Sequence, residues 1–295
     1  IPIGGQDVYV SFSAGISVCP NDGHDPGTLL KNADAAMYRA KASGRNRYQF
    51  YASEMNARGQ ELLGLETDLR RALERKEFRL YCQPQIDLRT GRIAAFEALL
   101  RWQHPQRGLV SPIDFVPLLE ETGLIVPVGE WVIREACSQY RRCSEYGYES
   151  IRIAVNVSAR QFGERGLVDL LGRILREEKI RPTDIELEIT ESTIMDNVHI
   201  AGEILQELDA LGVRLAIDDF GTGYSSLAYL KRFPLDVLKI DRVFIQDLPH
   251  DENDSAITEA SISLGHKLGL EVIAEGVETS AQLQFLRMHG CDMAQ

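Results

Sequence analysis

Acidic and amide side chains follow apolar segments along most of the chain. They are Glu97, Asn156, Glu188, Asp218, Asp219 and Glu275. If the apolar segments are parallel strands of one barrel, their carboxyl ends open into a single mouth, so these side chains converge there. Clustered carboxylates repel one another, and an all-oxygen donor set suits hard divalent cations such as Mg²⁺ or Mn²⁺. The sequence therefore predicts two divalent cations, which the adjacent Asp218 and Asp219 could bridge.

One further segment, Val237 to Ile240, carries Lys239 in place of an acid. Two cations about 4 Å apart lower the pKa of a bound water and hold both oxygens of an in-line phosphoryl displacement. A lysine at the mouth could position that water, or it could accept the proton if burial and the cations lowered its pKa. The predicted chemistry is metal-assisted hydrolysis of a phosphodiester.

Taken singly, these residues also have ordinary structural explanations. Glu188 could lie on the wet face of an alternating strand, Asn156 could be a strand-end turn residue, and Lys239 could be solvated at an edge. Glu97 is harder to explain in this way, because it lies inside an apolar run and a buried carboxylate needs a partner. The coincidence of all of them at successive strand ends favours the functional interpretation.

A glycine-containing loop, Phe220-Gly221-Thr222-Gly223, follows the acidic pair. Its glycines permit unusual backbone angles beside the predicted site, which favours a functional loop. The alternative is a plain turn before a helix capped by Ser225. No Gly-Lys-Ser/Thr follows, so the loop is not a P-loop.

Hydrophobic spacing predicts the elements that position these residues. Two strands, Phe78 to Cys82 and Ile93 to Leu100, form an antiparallel hairpin, because the 14 positions from Gln83 to Glu97 leave no room for a crossover helix. Further strands are predicted over residues 151–157, 185–189, 213–217, 237–240, 271–274 and a last segment that reaches 295. Helices such as Ala201 to Leu211 and Ala256 to Leu268 separate most of them. Together they predict an α/β fold, a (β/α)₈ barrel whose first strand is reversed.

Composition limits the class of protein. The 295 residues are 44% hydrophobic and 26% charged, which argues against disorder and a coiled-coil rod. A formal charge of −12 excludes the basic surface of a nucleic-acid polymer binder, so cations must bridge any anionic substrate. The five scattered cysteines and the absence of a long apolar run predict a reduced, cytoplasmic segment without membrane contact. Because the chain begins at Ile1, the presence of a membrane anchor upstream of it is left open.

The first 50 or so residues form a separate pattern. Alternation from Val8 to Val18 predicts a strand, helical spacing follows from Thr28 to Ala40, and Tyr48 to Tyr51 predicts another strand. Two strands and a helix cannot enclose a core, so this is expected to be the tail of a domain. A charged helix, Glu61 to Arg75, joins it to the rest.

Six motifs in order resemble the EAL-domain family of cyclic-di-GMP phosphodiesterases. They cover residues 97–102, 155–158, 188–192, 218–227, 238–241 and 274–278. The resemblance implies a modified TIM-like barrel with one antiparallel strand. It also implies Mg²⁺- or Mn²⁺-dependent hydrolysis of cyclic-di-GMP to linear pGpG.

The resemblance assigns roles motif by motif. The ligands of the first cation would be Glu97, Asn156, Glu188 and Asp218. Asp218 and Asp219 would share the second cation, Lys239 would act on the catalytic water, and Glu275 would assist. Substrate contacts would come from Arg101, Gln161 and Gln295. Glu191 would hold the loop of Phe220, Gly221, Thr222 and Gly223, which the family associates with dimerisation, so a homodimer is expected.

The N-terminal pattern resembles the end of a GGDEF diguanylate cyclase domain. The expected division is residues 1–51 as that fragment, 52–64 as a linker and 65–295 as the EAL domain. The cyclase signature would precede Ile1, so Lys41 and Arg45, which match phosphate-contacting positions, are expected to have no cyclase function. The EAL pattern continues after Gln295 with a Gly-Tyr pair and a closing helix. The chain is therefore expected to be an excerpt of a longer polypeptide, with a barrel that lacks its last strand and helix and exposes apolar edges.

Two other functions are compatible with these residues. One is a catalytically silent receptor of cyclic-di-GMP, which the complete metal-ligand set argues against. The other is an unrelated metal-dependent phosphohydrolase barrel that acts on nucleotides or sugar phosphates. Substrate competition separates this last alternative from the phosphodiesterase.

Overall fold

The computed structural model describes residues 2–3, 6–7, 12–42, 46–52, 64–147, 151–164, 166–223 and 227–295. These residues form two compact units, residues 1–77 with 110–121 and residues 78–109 with 122–295. Several predicted features lie outside the described residues: the strand start at 8–11, the linker at 53–63, Arg45, the side chain of Lys41, and Ser225.

The first unit is built around a β-α-β element. Its strands are β1 (Pro2–Ile3), β2 (Gln6–Asp7), β3 (Ala14–Ile16) and β4 (Tyr48–Phe50). Its helices are α1 (Pro26–Ala42), α2 (residues 64–72) and α3 (Pro112–Thr122). β3 and β4 pair in parallel, and α1 connects them along the chain. A Cβ at Gly15 would lie 1.9 Å from the Ala33 carbonyl oxygen, so this strand position requires glycine to let α1 approach.

The second unit contains the predicted barrel. Its strands are β5 (Phe78–Asp87), β6 (Ile93–His104), β7 (Gly108–Val110), β8 (Arg152–Asn156), β9 (Ile185–Thr190), β10 (Arg214–Phe220), β11 (Val237–Ile240), β12 (Glu271–Ala274) and β13 (Met293–Ala294). Its helices are α4 (Ile125–Glu145), α5 (Ala159–Phe162), α6 (Leu167–Glu178), α7 (Glu191–Asp196), α8 (Val198–Leu211), α9 (Leu227–Leu230), α10 (Glu252–Leu268) and α11 (Ser280–Met288). None of the helices in the described part of the chain is both long and apolar enough to cross a membrane.

Eight strands close the barrel in the order β5, β13, β12, β11, β10, β9, β8 and β6, and β6 pairs back to β5. β5 is antiparallel to both of its neighbours, whereas the other pairings around the barrel are parallel. The predicted reversed first strand is therefore confirmed. The register places Gln83 of β5 opposite Glu97 of β6.

The expectation that the barrel lacks its last strand is wrong. Met293 and Ala294 pair in parallel with β12 and antiparallel with β5, and this closes the sheet. The amide of Gln295 donates to the Ala274 carbonyl, which continues the ladder by one bond. A strand of two residues is enough here because an open edge on each side supplies its hydrogen-bond partners. The last predicted strand segment, which reaches residue 295, therefore contains the closing strand.

The barrel interior is arranged in layers, because alternate side chains of each strand point inward. The lower layer, at the amino ends of the parallel strands, consists of four ion-paired side chains: Arg152, Glu186, Arg214 and Glu271. Above it lies an apolar cluster of Ala216, Val237, Ile273 and Met293. The next inward positions along these strands lie at the carboxyl ends, and they carry the predicted site residues.

Candidate active site

Strand parity places the predicted site residues together. From the lower layer, two steps of two residues lead from Arg152 to Asn156 in β8 and from Arg214 to Asp218 in β10. Because side chains alternate along a strand, Lys239 of β11 also points inward, above Val237. The register pairs Asn156 with Glu188 across β8 and β9. Side chains from neighbouring strands therefore meet at one end of the barrel.

Lys239 lies at the centre of this cluster and is 0% exposed. Its Nζ lies 2.6 Å from Glu275 Oε1 and 2.8 Å from Glu188 Oε1. The same nitrogen lies 3.4 Å from Asp218 Oδ1 and 3.9 Å from Glu97 Oε2. Because Lys239 and Glu188 are both buried, a solvated edge for the lysine and a wet strand face for the glutamate are ruled out.

Burial and charge act in opposite directions on these groups. Burial disfavours the ammonium of Lys239, but the surrounding carboxylates, led by Glu188 and Asp218, outweigh burial and raise its pKa well above the ordinary value. The pKa of Glu188 is raised well above its usual range, because burial and the neighbouring Glu97 outweigh the attraction of Lys239. Burial also opposes the charge on Glu97, but Lys239 and the amide donors prevail, so the pKa of Glu97 is lowered.

Two other carboxylates have pKa values near neutrality. The pKa of Glu275 is raised to about 7, mainly by burial and against the attraction of Lys239. The pKa of Asp219 is raised to about 6 by burial, by the charge of Asp218 and by a hydrogen bond with Asp241. Asp241 is therefore next to Asp219, and its Oδ1 also accepts a hydrogen bond from the Val243 amide at 2.6 Å. Asp241 is the last residue of the 238–241 motif and had no predicted role.

Glu97 is held by amide side chains. Nδ2 of Asn156 donates to Glu97 Oε1 at 2.6 Å, and Nε2 of Gln295 donates to Glu97 Oε2. Gln85, which the sequence analysis missed, is 0% exposed and donates to Gln295 Oε1 at 2.8 Å. The strand predicted here ended at Cys82, whereas β5 continues to Asp87, so Gln85 fell outside the predicted strand.

The backbone at the acidic pair departs from a regular strand. The strand predicted to end at Ile217 continues to Phe220, with a register shift against β11 between these residues. Asp219 has a φ of 54°, which is unusual for a residue other than glycine. A bulge of this kind breaks the alternation of side chains and allows both Asp218 and Asp219 to lie near Lys239.

Glu191 contacts the glycine-containing loop directly. Its Oε2 accepts a hydrogen bond from the Gly221 amide at 3.0 Å, and Gly221 has a φ of 97°. A Cβ at Gly223 would lie 2.9 Å from Glu191 Oε1, so the loop packs against this carboxylate. Thr222 Oγ1 donates to the Asp219 carbonyl at 2.8 Å. The loop is thus tied to the carboxyl ends of β9 and β10.

Two predicted substrate contacts have other partners. Arg101 donates from Nη1 to the Leu100 carbonyl at 2.9 Å, and its guanidinium lies 5.8 Å from the centre of the Tyr81 ring. Gln161 is buried and forms a capping box with Ser158 at the start of α5. Substrate contact by Arg101 and Gln161 therefore stays a prediction.

The donor set fits divalent cations, although no three His, Cys, Asp or Glu side chains of the described residues enclose a ready cation position. The Lys239 ammonium lies among the carboxylates instead. Oε2 of Glu188 is buried and has no hydrogen-bond partner within the described chain. An unpartnered buried carboxylate oxygen, surrounded by further oxygen donors, is the kind of ligand that Mg²⁺ and Mn²⁺ prefer.

The fold and this site define a (β/α)₈ barrel with an acidic centre at the carboxyl ends of its strands. Residues 66–295 match the family model described as EAL domain, so the chain belongs to the EAL-domain family. Residues 1–47 match the model described as diguanylate cyclase, GGDEF domain. Both resemblances inferred from the motifs are therefore confirmed.

Curated relatives and a solved structure agree with this assignment. The chain is 51% identical over 290 residues to the bifunctional diguanylate cyclase/cyclic di-GMP phosphodiesterase MucR of Pseudomonas aeruginosa, covering 98% of this chain and 42% of MucR. It is 43% identical to the cyclic di-GMP phosphodiesterase NbdA of the same organism, covering 100% of this chain and 38% of NbdA. The chain thus spans less than half the length of either relative. A structure of the PaMucR phosphodiesterase in complex with c-di-GMP matches with a TM-score of 0.77 and 50% identity, over 79% of this chain and 94% of that one.

Proposed function

We propose that this chain hydrolyses cyclic-di-GMP to linear pGpG with the help of two divalent cations, Mg²⁺ or Mn²⁺. The observation that carries the proposal is the buried Lys239, whose Nζ lies within 3.9 Å of four carboxylates on or directly after four other strands. The names of the relatives and of the PaMucR complex support cyclic-di-GMP as the substrate.

The proposed cation ligands are those that the family resemblance assigns. Glu97, Asn156, Glu188 and Asp218 would hold the first cation, and Asp218 and Asp219 would share the second. When bound, the cations supply acidification of a water molecule and neutralisation of charge on the phosphate. The carboxylate excess of the site would favour both cations, and the cations would in turn attract a dianionic substrate to a protein of net charge −12.

Lys239 and Glu275 would divide the work on the attacking water. In the metal-free site the surrounding carboxylates raise the pKa of Lys239, which favours an ammonium that can donate hydrogen bonds to the water and orient it. Glu275 has a pKa of about 7 and lies 2.6 Å from Lys239, so its carboxylate suits proton uptake near neutral pH. The water oxygen bonds to one phosphorus, the P–O3′ bond breaks, and the leaving oxygen takes a proton from solvent.

The remaining predicted roles concern substrate and assembly. Arg101, Gln161 and Gln295 would contact the dinucleotide. Glu191 would couple the loop of Phe220, Gly221, Thr222 and Gly223 to the site, and that loop would also serve a homodimer. We place the reaction in the cytoplasm, where the five free cysteines stay reduced.

Chromatography of cyclic-di-GMP incubated with the purified chain tests this function. We expect pGpG to form with Mg²⁺ or Mn²⁺ and to be absent with EDTA. Intact dinucleotide that remains bound to the folded protein in the presence of Mn²⁺ would contradict hydrolysis and identify a receptor. Hydrolysis of other nucleotides or sugar phosphates that cyclic-di-GMP does not inhibit would identify an unrelated phosphohydrolase.

A further inference from the structure

A buried glutamine on the reversed strand joins two carboxylates of the site, although none of the family motifs includes it. Gln85 is 0% exposed. Its Nε2 donates to Gln295 Oε1 at 2.8 Å and lies 3.5 Å from Glu188 Oε1. Gln295 in turn donates to Glu97. One amide on β5 therefore connects β13 and β9, and through Gln295 it also reaches β6.

The charge on Glu97 determines the direction of these hydrogen bonds. A carboxylate can only accept, so Gln295 must present its NH₂ group to Glu97. Its carbonyl oxygen then faces Gln85, which must supply a donor in return. The orientations of both amides thus follow from the hydrogen-bond network.

Gln85 carries an energetic cost that a space-filling residue would avoid. Its Oε1 is buried and has no hydrogen-bond partner among the residues that the structure describes. An unsatisfied buried polar group costs about 1–3 kcal/mol. Methionine would fill a similar volume without that cost, so packing alone does not account for an amide at this position.

We propose that Gln85 is a positioning residue of the cation site, which orients Glu97 through Gln295 and restrains Glu188 directly. This inference rests on the proposed function, because it assumes that Glu97 and Glu188 are cation ligands. Residues that orient metal ligands change affinity by about 10- to 100-fold when they are removed. Gln85 contacts the ligand network and does not itself need to touch a cation or the substrate.

Gln85→Met in the 295-residue chain tests the proposal. Calorimetric titration with Mn²⁺ measures the affinity, and kcat and KM are measured at several Mn²⁺ concentrations. We expect the Kd for Mn²⁺ to rise about 10-fold or more. Saturating Mn²⁺ should restore much of kcat, because the proposed role of Gln85 is to raise the affinity of the site for the cations.

Three further variants keep the test informative. Gln85→Asn retains the amide but moves it about 1.5 Å away from Gln295 and Glu188. Because its side chain is still polar, this variant can be tested if the methionine variant does not fold. Gln295→Met, alone and combined with Gln85→Met, separates the route through Gln295 to Glu97 from the direct contact with Glu188. Losses of Mn²⁺ affinity that are not additive would show that Gln85 acts through Gln295. Gln282→Met is the matched control. Gln282 is also buried, and it donates to the carbonyls of Ile245 and Gln246, so its loss should lower Tm and leave the Mn²⁺ affinity unchanged.

The outcomes distinguish this proposal from the proposed function. Folded Gln85→Met and Gln85→Asn variants with the Mn²⁺ affinity of the unsubstituted protein would overturn the role of Gln85 alone. An unsubstituted protein that binds Mn²⁺ but does not cleave cyclic-di-GMP would contradict the proposed function, while the titrations would still decide the role of Gln85. Absence of Mn²⁺ binding by the unsubstituted protein would contradict both.

Discussion

The barrel interior contains two layers of charged side chains that differ in how their charges are balanced. In the lower layer, Arg152 and Arg214 pair with Glu186 and Glu271, so two positive charges face two negative ones. In the upper layer, one ammonium, that of Lys239, faces five carboxylates, which leaves an excess of four negative charges when all are ionised.

The contact geometry differs in the same way. Nη2 of Arg152 and Nη2 of Arg214 lie 3.0 Å and 2.9 Å from the same Glu271 oxygen, and Nε of Arg214 lies 3.2 Å from Glu186. Planar guanidinium groups with several donors suit such mutual pairing. The single Nζ of Lys239 cannot pair equally with all the carboxylates around it. Charge that is balanced within the protein indicates a structural layer, whereas the uncompensated acid of the upper layer supports the proposed cation site.

The largest expected effect comes from removing an upper-layer carboxylate. Glu97→Ala or Asp218→Ala should lower kcat for cyclic-di-GMP at least about 10³-fold, because loss of a bound cation forfeits several kcal/mol of transition-state stabilisation. The measurement is pGpG formation at saturating Mn²⁺. Unchanged turnover in either folded variant would show that the excess acid is not used for catalysis.

A lower-layer substitution should affect stability instead. Glu186 is 0% exposed, and Glu186→Ala leaves two arginines without their buried partner. Breaking a buried ion pair on one side should lower the free energy of unfolding by about 3 kcal/mol. Urea denaturation measures this loss, and kcat of the folded fraction should stay within about threefold of the unsubstituted value. A Glu186→Ala variant with unchanged stability and low kcat would show that the lower layer also serves catalysis.

Cation binding should stabilise the upper layer selectively. At Mn²⁺ 100-fold above its Kd, linkage predicts about 2.7 kcal/mol of stabilisation, or roughly 5–10 °C in Tm. EDTA should remove this increment. The matched comparison is Asp218→Ala, whose Tm should respond little to Mn²⁺, while Glu186→Ala should respond as the unsubstituted protein does. Equal responses of all three proteins would place the cations elsewhere.

A smaller effect is expected from pH in the metal-free protein. Burial raises the pKa of Glu275 from 4.5 to about 7, so the folded state holds a proton in this interval that the unfolded state has released. Stability should therefore be greater near pH 4.5 and decline as pH rises toward 7. Thermal melts in EDTA measure the decline, and Glu275→Gln should make it shallower. A decline of the same steepness in that variant would assign it to other groups.

Much of the site could be predicted from the sequence, because the alternation of side chains along a strand and the order of the motifs can both be recognised from short stretches of sequence. A polar residue at the carboxyl end of each predicted strand was enough to bring Glu97, Asn156, Glu188, Asp218 and Lys239 into one mouth. Gln85 and Asp241 escaped that reasoning. Gln85 lies on the reversed strand, which a rule about parallel strand ends does not cover, and Asp241 follows β11 in a motif that gave it no separate role.

Residue types and their short-range spacing were sufficient to predict the family, the reversed first strand, and which side chains point toward the barrel mouth. Three other features depend on the assembled fold. A bulge at Asp219 brings adjacent carboxylates to one side, β13 closes the barrel with only two residues, and a lower layer balances its charges while the upper one does not. Each depends on contacts between residues far apart in the chain, which no local pattern encodes.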